Sequence, residues 1–216
     1  ILIQPDLGSS AVIFVSVLGI LFVAGVKLSQ FMIVASLGFM GILLMIYFVP
    51  WRWERIISFL DPWSNPWESG YQLTMSLMSI GRGDWFGVGL GQGLMKMGYL
   101  PDAHTDFIFS VIVEETGILG GLMIISLLFA LTFRIFHISK DSFLRKNYFG
   151  FFFSYGVAIL LGLHIFINVG VASGLLPTKG VTLPLISGGG TNLIVICLMI
   201  GLVLRIDYEN KTSMPL

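Results

Sequence analysis

A bilayer core is crossed by about 20 consecutive apolar residues in a helix, and this chain repeats that pattern along its length. The first run, Ala11 to Val26, follows Gln4-Pro5-Asp6-Leu7-Gly8-Ser9-Ser10, a turn whose side chains suit a helix cap, and it stops at Lys27. The second goes from Phe31 to Val49 and stops at Pro50; Trp51, Arg52, Trp53 and Arg55 follow as an aromatic and cationic interface anchor. The third, Phe107 to Phe133, is interrupted by Glu114, Glu115 and Gly117 and is longer than a crossing needs, so it is predicted to tilt or protrude. A polar loop is predicted from Arg134 to Asn147. The fourth run, Tyr148 to Ala172, carries His164 and Asn168. The last, Leu193 to Ile206, is short unless it begins near Ile186, and it leads into a polar tail from Asp207 to Leu216. The expectation is an all-α polytopic integral membrane protein with about five transmembrane helices in this chain.

Composition agrees. Charged residues make up 11% of the 216, against about 25% in soluble domains, and the mean hydropathy is +0.91. The net charge of +0 and the lack of a basic stripe exclude a nucleic-acid partner. The single cysteine, Cys197, excludes an intrachain disulfide; placed among Ile, Val and Leu, it reads as a small core residue with no metal cluster around it. The chain opens at Ile1 with neither Met nor a charged leader, and it reads as the later part of a longer protein rather than as one starting with a signal peptide.

Residues 50–106 form a long loop within a single membrane domain, 1–216. The loop holds all five Trp and glycines at 70, 81, 83, 87, 89, 91, 93 and 98. Structureless loops beyond about 15 residues are uncommon and usually functional. Arg55 to Leu60 and Tyr71 to Ile80 are the candidates for short interfacial or re-entrant pieces. Arg134, Lys140, Arg145 and Lys146 mark the Arg134–Asn147 loop as cytoplasmic, and alternation puts Lys27, Arg205 and Lys211 on that side. The long loop and the Pro177–Ser187 loop then face outward together, and chemistry is expected there.

Gly87-Val-Gly89-Leu-Gly91-Gln-Gly93 lacks the preceding strand and the Gly-Lys-Ser/Thr of a nucleotide loop, so it reads as a tight turn on the outer surface. Asp102, His104 and Asp106 lie where the chain enters lipid. At that boundary burial disfavours the charged form of Asp106, while helix amides and the neighbouring imidazole favour it. Such a carboxylate can accept a proton from a substrate hydroxyl. The competing reading makes Asp106 or Thr105 the cap of the third span, and both can hold. Glu114 lies eight residues after Asp106, roughly 80° round a helix and about 12 Å along it, with Glu115 a further step away. One pocket of three carboxylates is therefore not expected. The two Glu read first as partners in hydrogen bonds between helices and second as a proton relay. His164 and Asn168 share a face at i, i+4 and are predicted to pair with neighbouring helices; no metal-site spacing accompanies them. Lys179, between Pro177 and Pro184, reads either as a solvated loop lysine or as a phosphate ligand.

These residues also occur in motifs. Gln4-Pro-Asp-Leu-Gly8, Phe59-Leu-Asp-Pro-Trp63, Gly70-Tyr-Gln72, Gly87-Val-Gly-Leu-Gly-Gln92, Tyr99-Leu-Pro-Asp-Ala-His-Thr-Asp-Phe-Ile-Phe109, Glu114-Glu115, Leu176-Pro-Thr-Lys-Gly180 and Leu183-Pro-Leu-Ile-Ser187 run in order over nearly the whole chain. In this the sequence resembles the SEDS family (shape, elongation, division, sporulation) of bacterial membrane proteins, with Leu-Pro-Thr-Lys-Gly and Ala-His-Thr-Asp more similar to the division members than to the elongation members. The resemblance implies a bundle of roughly ten helices, of which this chain is the C-terminal half or slightly more. It implies a peptidoglycan glycosyltransferase of the bacterial cytoplasmic membrane that polymerises lipid II on the outer face by an inverting transfer. The family's essential Asp falls on Asp106. His104, Thr105, Lys179, Arg52, Arg55 and Ser187 are expected at the substrate, with Glu114, Glu115, His164 and Asn168 as supporting polar groups. A divalent cation, Mg or Mn, is compatible with pyrophosphate chemistry, although the sequence shows no dedicated cage. The implied partners are lipid II, the undecaprenyl-pyrophosphate-linked glycan, a class B penicillin-binding transpeptidase, other divisome proteins and membrane lipid. A lipid II transporter of the same fold is the alternative, and a purely structural scaffold a third reading. Asp102 stands where the family usually has Glu. Gly188 stands where the family usually has Tyr, which removes an aromatic hydroxyl from the outward side.

Overall fold

The structure, a computed structural model, describes residues 7–212. All of its regular elements among these residues are helical: α1 (Leu7–Val23), α2 (Leu28–Tyr47), α3 (Pro50–Leu60), α4 (Tyr71–Gly83), α5 (Ile108–Leu144), α6 (Tyr148–Ala172) and α7 (Gly190–Thr212), with one 3-10 turn at Met95–Met97. Four of them, α2, α5, α6 and α7, are long and apolar enough to cross a membrane; α1 is apolar but shorter. Hydrocarbon offers the backbone no partners, so a spanning segment must satisfy its own amides, and the helix does so. The expected spans are thus present with shifted ends. Of the expected capping turn Gln4–Ser10, residues 4–6 lie outside the described residues, and Leu7 to Ser10 already belong to α1 rather than to a turn.

The largest difference is at Arg134. The expected polar loop from Arg134 to Asn147 is in fact the last turns of α5, and only Arg145 to Asn147 connect it to α6. One stripe of this extension stays buried, through Ile135, Ile138, Ser139 and Ser142, while Arg134, His137 and Lys140 take the outer stripe. Charge density hid an amphipathic helix. The described part of the C-terminal tail, Asp207 to Thr212, is helical for the same reason: Ile206 and Asn210 face inward, Asn210 Nδ2 donates to Ser142 Oγ at 2.7 Å, and Arg205–Glu209 and Lys211–Asp207 pair at i, i+4. Cys197 is exposed rather than core, because Ile196 and Val203 carry the buried stripe of α7 and Cys197 is turned about 100° away.

Three packed clusters hold the bundle. Ile135, Ile138, Leu161, Ile196 and Val203 join α5, α6 and α7 at one end. Phe109, Val113, Leu128, Ile165 and Leu183 fill the middle. Met75, Leu100, Phe107, Val111 and Val171 close the other end. Lipid tails are as apolar as these side chains, so close packing and small residues do most of the holding. Gly19 of α1 packs on Ile159 of α6, and Gly156 on Ile20. α2 carries the chain from Lys27 to α3, which lies beside the start of α5 and so at the end away from Arg145. Lys27 therefore shares an end with Arg145, Lys146 and Lys211, as the charge pattern suggested.

Two expected pieces of the long loop are helices. α3 begins at Pro50, whose fixed φ suits a first turn. α4 packs into the bundle through small polar residues: Ser76 Oγ donates to Ala172 O at 2.8 Å and Ser79 Oγ to Ser110 O at 3.0 Å. The long loop and residues 173–189 meet at the end of the bundle opposite Lys27.

Candidate active site

The Gly-rich turn has a role the sequence reading missed. α5 is broken at Gly117, where φ is 75° and ψ 177°. The break frees two carbonyls: Glu114 O accepts from Val88 N at 2.9 Å and Glu115 O from Gly89 N at 3.0 Å, while Ile118 N donates to Asp84 O at 2.8 Å. The strands of chain lie so close that a Cβ on Gly87 would collide with Glu115 O, and one on Gly117 with Trp85 O. The turn then wraps the two carboxylates. Leu94 N and Met95 N donate to Glu114 at 3.0 and 3.2 Å, and Gly91 N and Gly93 N to Glu115 at 3.0 and 3.3 Å. Arg82 Nη1 pairs with Glu114 Oε1 at 2.7 Å and Lys96 Nζ with Glu115 Oε1 at 2.5 Å. The turn is an internal carboxylate receptor, neither a nucleotide loop nor an idle surface turn. The expected interhelical partners of Glu114 are present in α4, at Arg82 and Ser79, and backbone amides supply the other half of its donors.

Asp106 sits one turn of chain before α5. Leu100, Ala103 and Phe107 are buried anchors, and Asp102, at φ 53°, turns the chain so that its carbonyl accepts from the amides of Thr105, Asp106 and Phe107. Phe107 is the N-cap of α5 and no side chain caps it. The cap reading of Asp106 and Thr105 is therefore corrected: the Thr105 hydroxyl donates to Asp102 O at 3.3 Å, and local chain curvature leaves the Asp106 carboxylate out of the helix end.

The segment 178–188 is stitched to this turn. Asn168, 1% exposed, donates from Nδ2 to Asp106 O at 2.8 Å and to Val181 O at 2.7 Å. Ser187 Oγ donates to Thr105 O at 2.6 Å and accepts from Leu183 N at 2.7 Å; Gly188 N donates to His104 O at 2.8 Å. A Cβ on Gly180 would lie 3.0 Å from Asp106 Oδ2. His164 reaches the Thr182 backbone. The Asn168 Oδ1 and His164 Nδ1 atoms are buried without a partner among the described residues.

The result is a cavity of about 260 Å³ lined by Asp102, Asp106, Lys179, Arg55 and Gln72. A second cavity of about 460 Å³ adjoins it, sharing Arg55, Gln72 and Thr178. Of the residues singled out in the sequence, Asp106, Lys179 and Arg55 come together here. Ser187, Thr105, Asn168 and the His104 carbonyl brace the cavity from behind, with the His104 side chain exposed. Glu114 and Glu115 do not line it. The side chain of Arg52 lies outside the described residues. Gln72 was not singled out as a site residue; its signal was a polar side chain in the first turn of a helix flanked by the Gly70-Tyr71 motif. Among the described residues no group of three or more His, Cys, Asp or Glu could hold a metal ion.

A polar cavity built by two loops at one end of an apolar helix bundle defines a multi-pass membrane protein with a solvent-facing site. The comparisons with known proteins agree on its kind. The FtsW/RodA/SpoVE family model, described as cell cycle protein, matches residues 1–212, and the chain belongs to that family. It is 47% identical over 209 residues to the probable peptidoglycan glycosyltransferase FtsW of Aliivibrio salmonicida (strain LFI1238), covering 97% of this chain and 52% of that protein. It is 48% identical over 213 residues to the protein of the same name from Wigglesworthia glossinidia brevipalpis, covering 99% and 56%. The chain thus spans about half the length of the curated relatives it matches. Among solved structures it resembles a chain described under "Structural coordination of polymerization and crosslinking by a peptidoglycan synthase complex", with TM-score 0.74, 28% identity and coverage of 98% and 58%. It also resembles an aspartate-to-alanine variant of the rod shape determining protein RodA of Thermus thermophilus, with TM-score 0.59, 26% identity and coverage of 98% and 53%.

Proposed function

We propose that this chain carries the reaction centre of a peptidoglycan glycosyltransferase that polymerises lipid II at the outer face of the bacterial cytoplasmic membrane, in cell division. The observation that carries the reading is the meeting of the Asp106 carboxylate, with Asp102 beside it, and two cations, Lys179 and Arg55, in a single cavity. Glycosyl transfer from a lipid-linked pyrophosphate needs both. The O4 hydroxyl of the acceptor's GlcNAc attacks C1 of the donor's terminal sugar from the face opposite the leaving group. The new C1–O4 bond forms as the C1–O bond to pyrophosphate breaks, and configuration inverts. Asp106 takes the hydroxyl proton as general base and passes it on to solvent. The electron pair leaves with undecaprenyl pyrophosphate, whose growing charge Lys179 and Arg55 stabilise. His104, Thr105, Ser187 and Asn168 hold the Asp106 turn against the Lys179 loop, so the base and the cations keep their spacing. Mg is commonly held by one or two carboxylates plus substrate phosphates; Asp102 and Asp106 fit such a substrate-borne Mg or Mn, which would help neutralise the leaving group.

The whole domain, residues 1–216 with its outward loop 50–106, works in this reading as one half of the catalytic bundle. Its partner is a crosslinking enzyme, a class B penicillin-binding transpeptidase, together with other divisome proteins. The outward placing of the site is supported by the basic residues gathered at the opposite end, around Arg145, Lys146 and Lys211. The test is Asp106→Asn in the full-length parent protein, supplied with lipid II in detergent. Loss of glycan polymer with retained folding and lipid II binding is expected. Undiminished polymer would remove Asp106 as the base; transport of lipid II by a polymerisation-dead wild type would favour the transporter.

A further inference from the structure

The second cavity is the feature the reaction scheme leaves unused. It is about 460 Å³, within the range of small-molecule sites. Its lining is polar and of mixed type: the carboxylates of Glu54 and Glu68, the hydroxyl of Ser69, the amide of Gln72 and the guanidinium of Arg55. Tyr71 also lines it, with its hydroxyl donating to Tyr99 O at 2.7 Å. The wall is rigid. Gly70 N donates to Asn65 O at 3.1 Å and Tyr71 N to Glu68 O at 3.2 Å, and a Cβ on Gly70 would collide with Pro62 O. Glu68 and Ser69 are thereby held one turn of chain from Gln72.

Charge separates the two cavities. The Asp106 cavity sets Lys179 and Arg55 against two carboxylates, whereas the second sets Arg55 alone against Glu54 and Glu68. A pyrophosphate is repelled from the second and accepted by the first. An uncharged, hydroxyl-rich ligand has the opposite preference: its hydroxyls donate to carboxylates and its acetamide exchanges bonds with Gln72. Arg55, Gln72 and Thr178 line both cavities, so a ligand filling the second ends beside Asp106.

We infer that the Glu54–Glu68–Gln72 cavity holds the sugar rings of the acceptor and presents the reacting hydroxyl to Asp106, with Glu68 and Gln72 as specificity-determining contacts. This rests on the polymerase reading. The experiment uses the full-length parent protein with a preformed lipid-linked glycan as saturating donor and lipid II as varied acceptor. Glu68→Gln and Gln72→Ala are expected to raise KM for lipid II about tenfold each while kcat stays within about twofold, the pattern of lost binding common to ground and transition states. In parallel, saturation-transfer NMR is run with lipid-free GlcNAc-MurNAc disaccharide on the wild type, on Asp106→Asn and on Glu68→Gln. Signal from the first two and a weakened signal from the third is the expected result. Unchanged KM in both variants, with polymer still dependent on Asp106, overturns the subsite and leaves the polymerase standing. Disaccharide binding that depends on Glu68 in a protein that makes no polymer overturns the polymerase and leaves the subsite. No signal from the wild type overturns the saccharide assignment.

Discussion

Replacing Asn168 by Leu tests whether the Asp106 turn is positioned from behind. Leu has nearly the same shape but no donor, so Asp106 O and Val181 O both lose the bonds now made at 2.8 and 2.7 Å. Both partners are carbonyls, which fixes the amide with Nδ2 toward them. Side-chain hydrogen bonds in membrane proteins average about 0.6 kcal/mol and reach about 1.7 kcal/mol. Two of them bridging the Asp106 turn and the Lys179 loop give about 1–3 kcal/mol of coupling. If that coupling holds Asp106 at its productive distance, its loss lowers kcat by about 5- to 150-fold, since 1.4 kcal/mol is tenfold. KM for lipid II should hardly move, because Asn168 lies behind the cavity and does not line it. The assay is polymer formation by the full-length parent at varied lipid II, with thermal unfolding in detergent as the control for folding. Asn168→Ala adds a small cavity and should be slower still. A Leu variant with kcat within twofold of wild type, or one that changes only KM, would refute the reasoning.

Further outcomes follow from the same geometry. Glu114→Ala leaves Arg82, Leu94 N and Met95 N without their buried acceptor; with Arg82 part-exposed, the two orphaned amides dominate and the expected loss is about 2–5 kcal/mol, read as a drop in melting temperature. Gly117→Ala forces a Cβ into Trp85 O at a positive φ, so it should lower the yield of folded protein and the melting temperature by more than the ~1 kcal/mol of an ordinary Gly change. Lys179→Ala should reduce polymerisation mainly through the donor, and Lys179→Arg should recover part of it; donor-concentration series on both variants check this.

The legible part of the fold is the part set by local pattern. Apolar runs separated α1, α2, α5, α6 and α7, because in lipid a run of that length has one way to satisfy its backbone. Charge placed the two unusual loops at one end, and Asp106, Lys179 and Arg55 do meet there. Local pattern failed where a long-range partner decided. Arg134 to Leu144 looked like a loop because its charge is dense; Asp207 and Asn210 of α7, far along the chain, give that stretch its partners. The glycines at 87 and 117 carry no sign in the sequence that they face each other.

The sequence alone determined that this is an all-α, multi-pass membrane chain, and it offered Asp106 as the candidate base, since hydropathy and motif order survive without coordinates. Only the tertiary structure decided what surrounds that carboxylate. Asn168 reaches Asp106 across 62 residues, Ser187 reaches Thr105 across 82, and Ser76 reaches Ala172 across 96. Periodicity reports which face of a helix is apolar. It does not report which neighbour that face meets, because that depends on the packing of every helix at once.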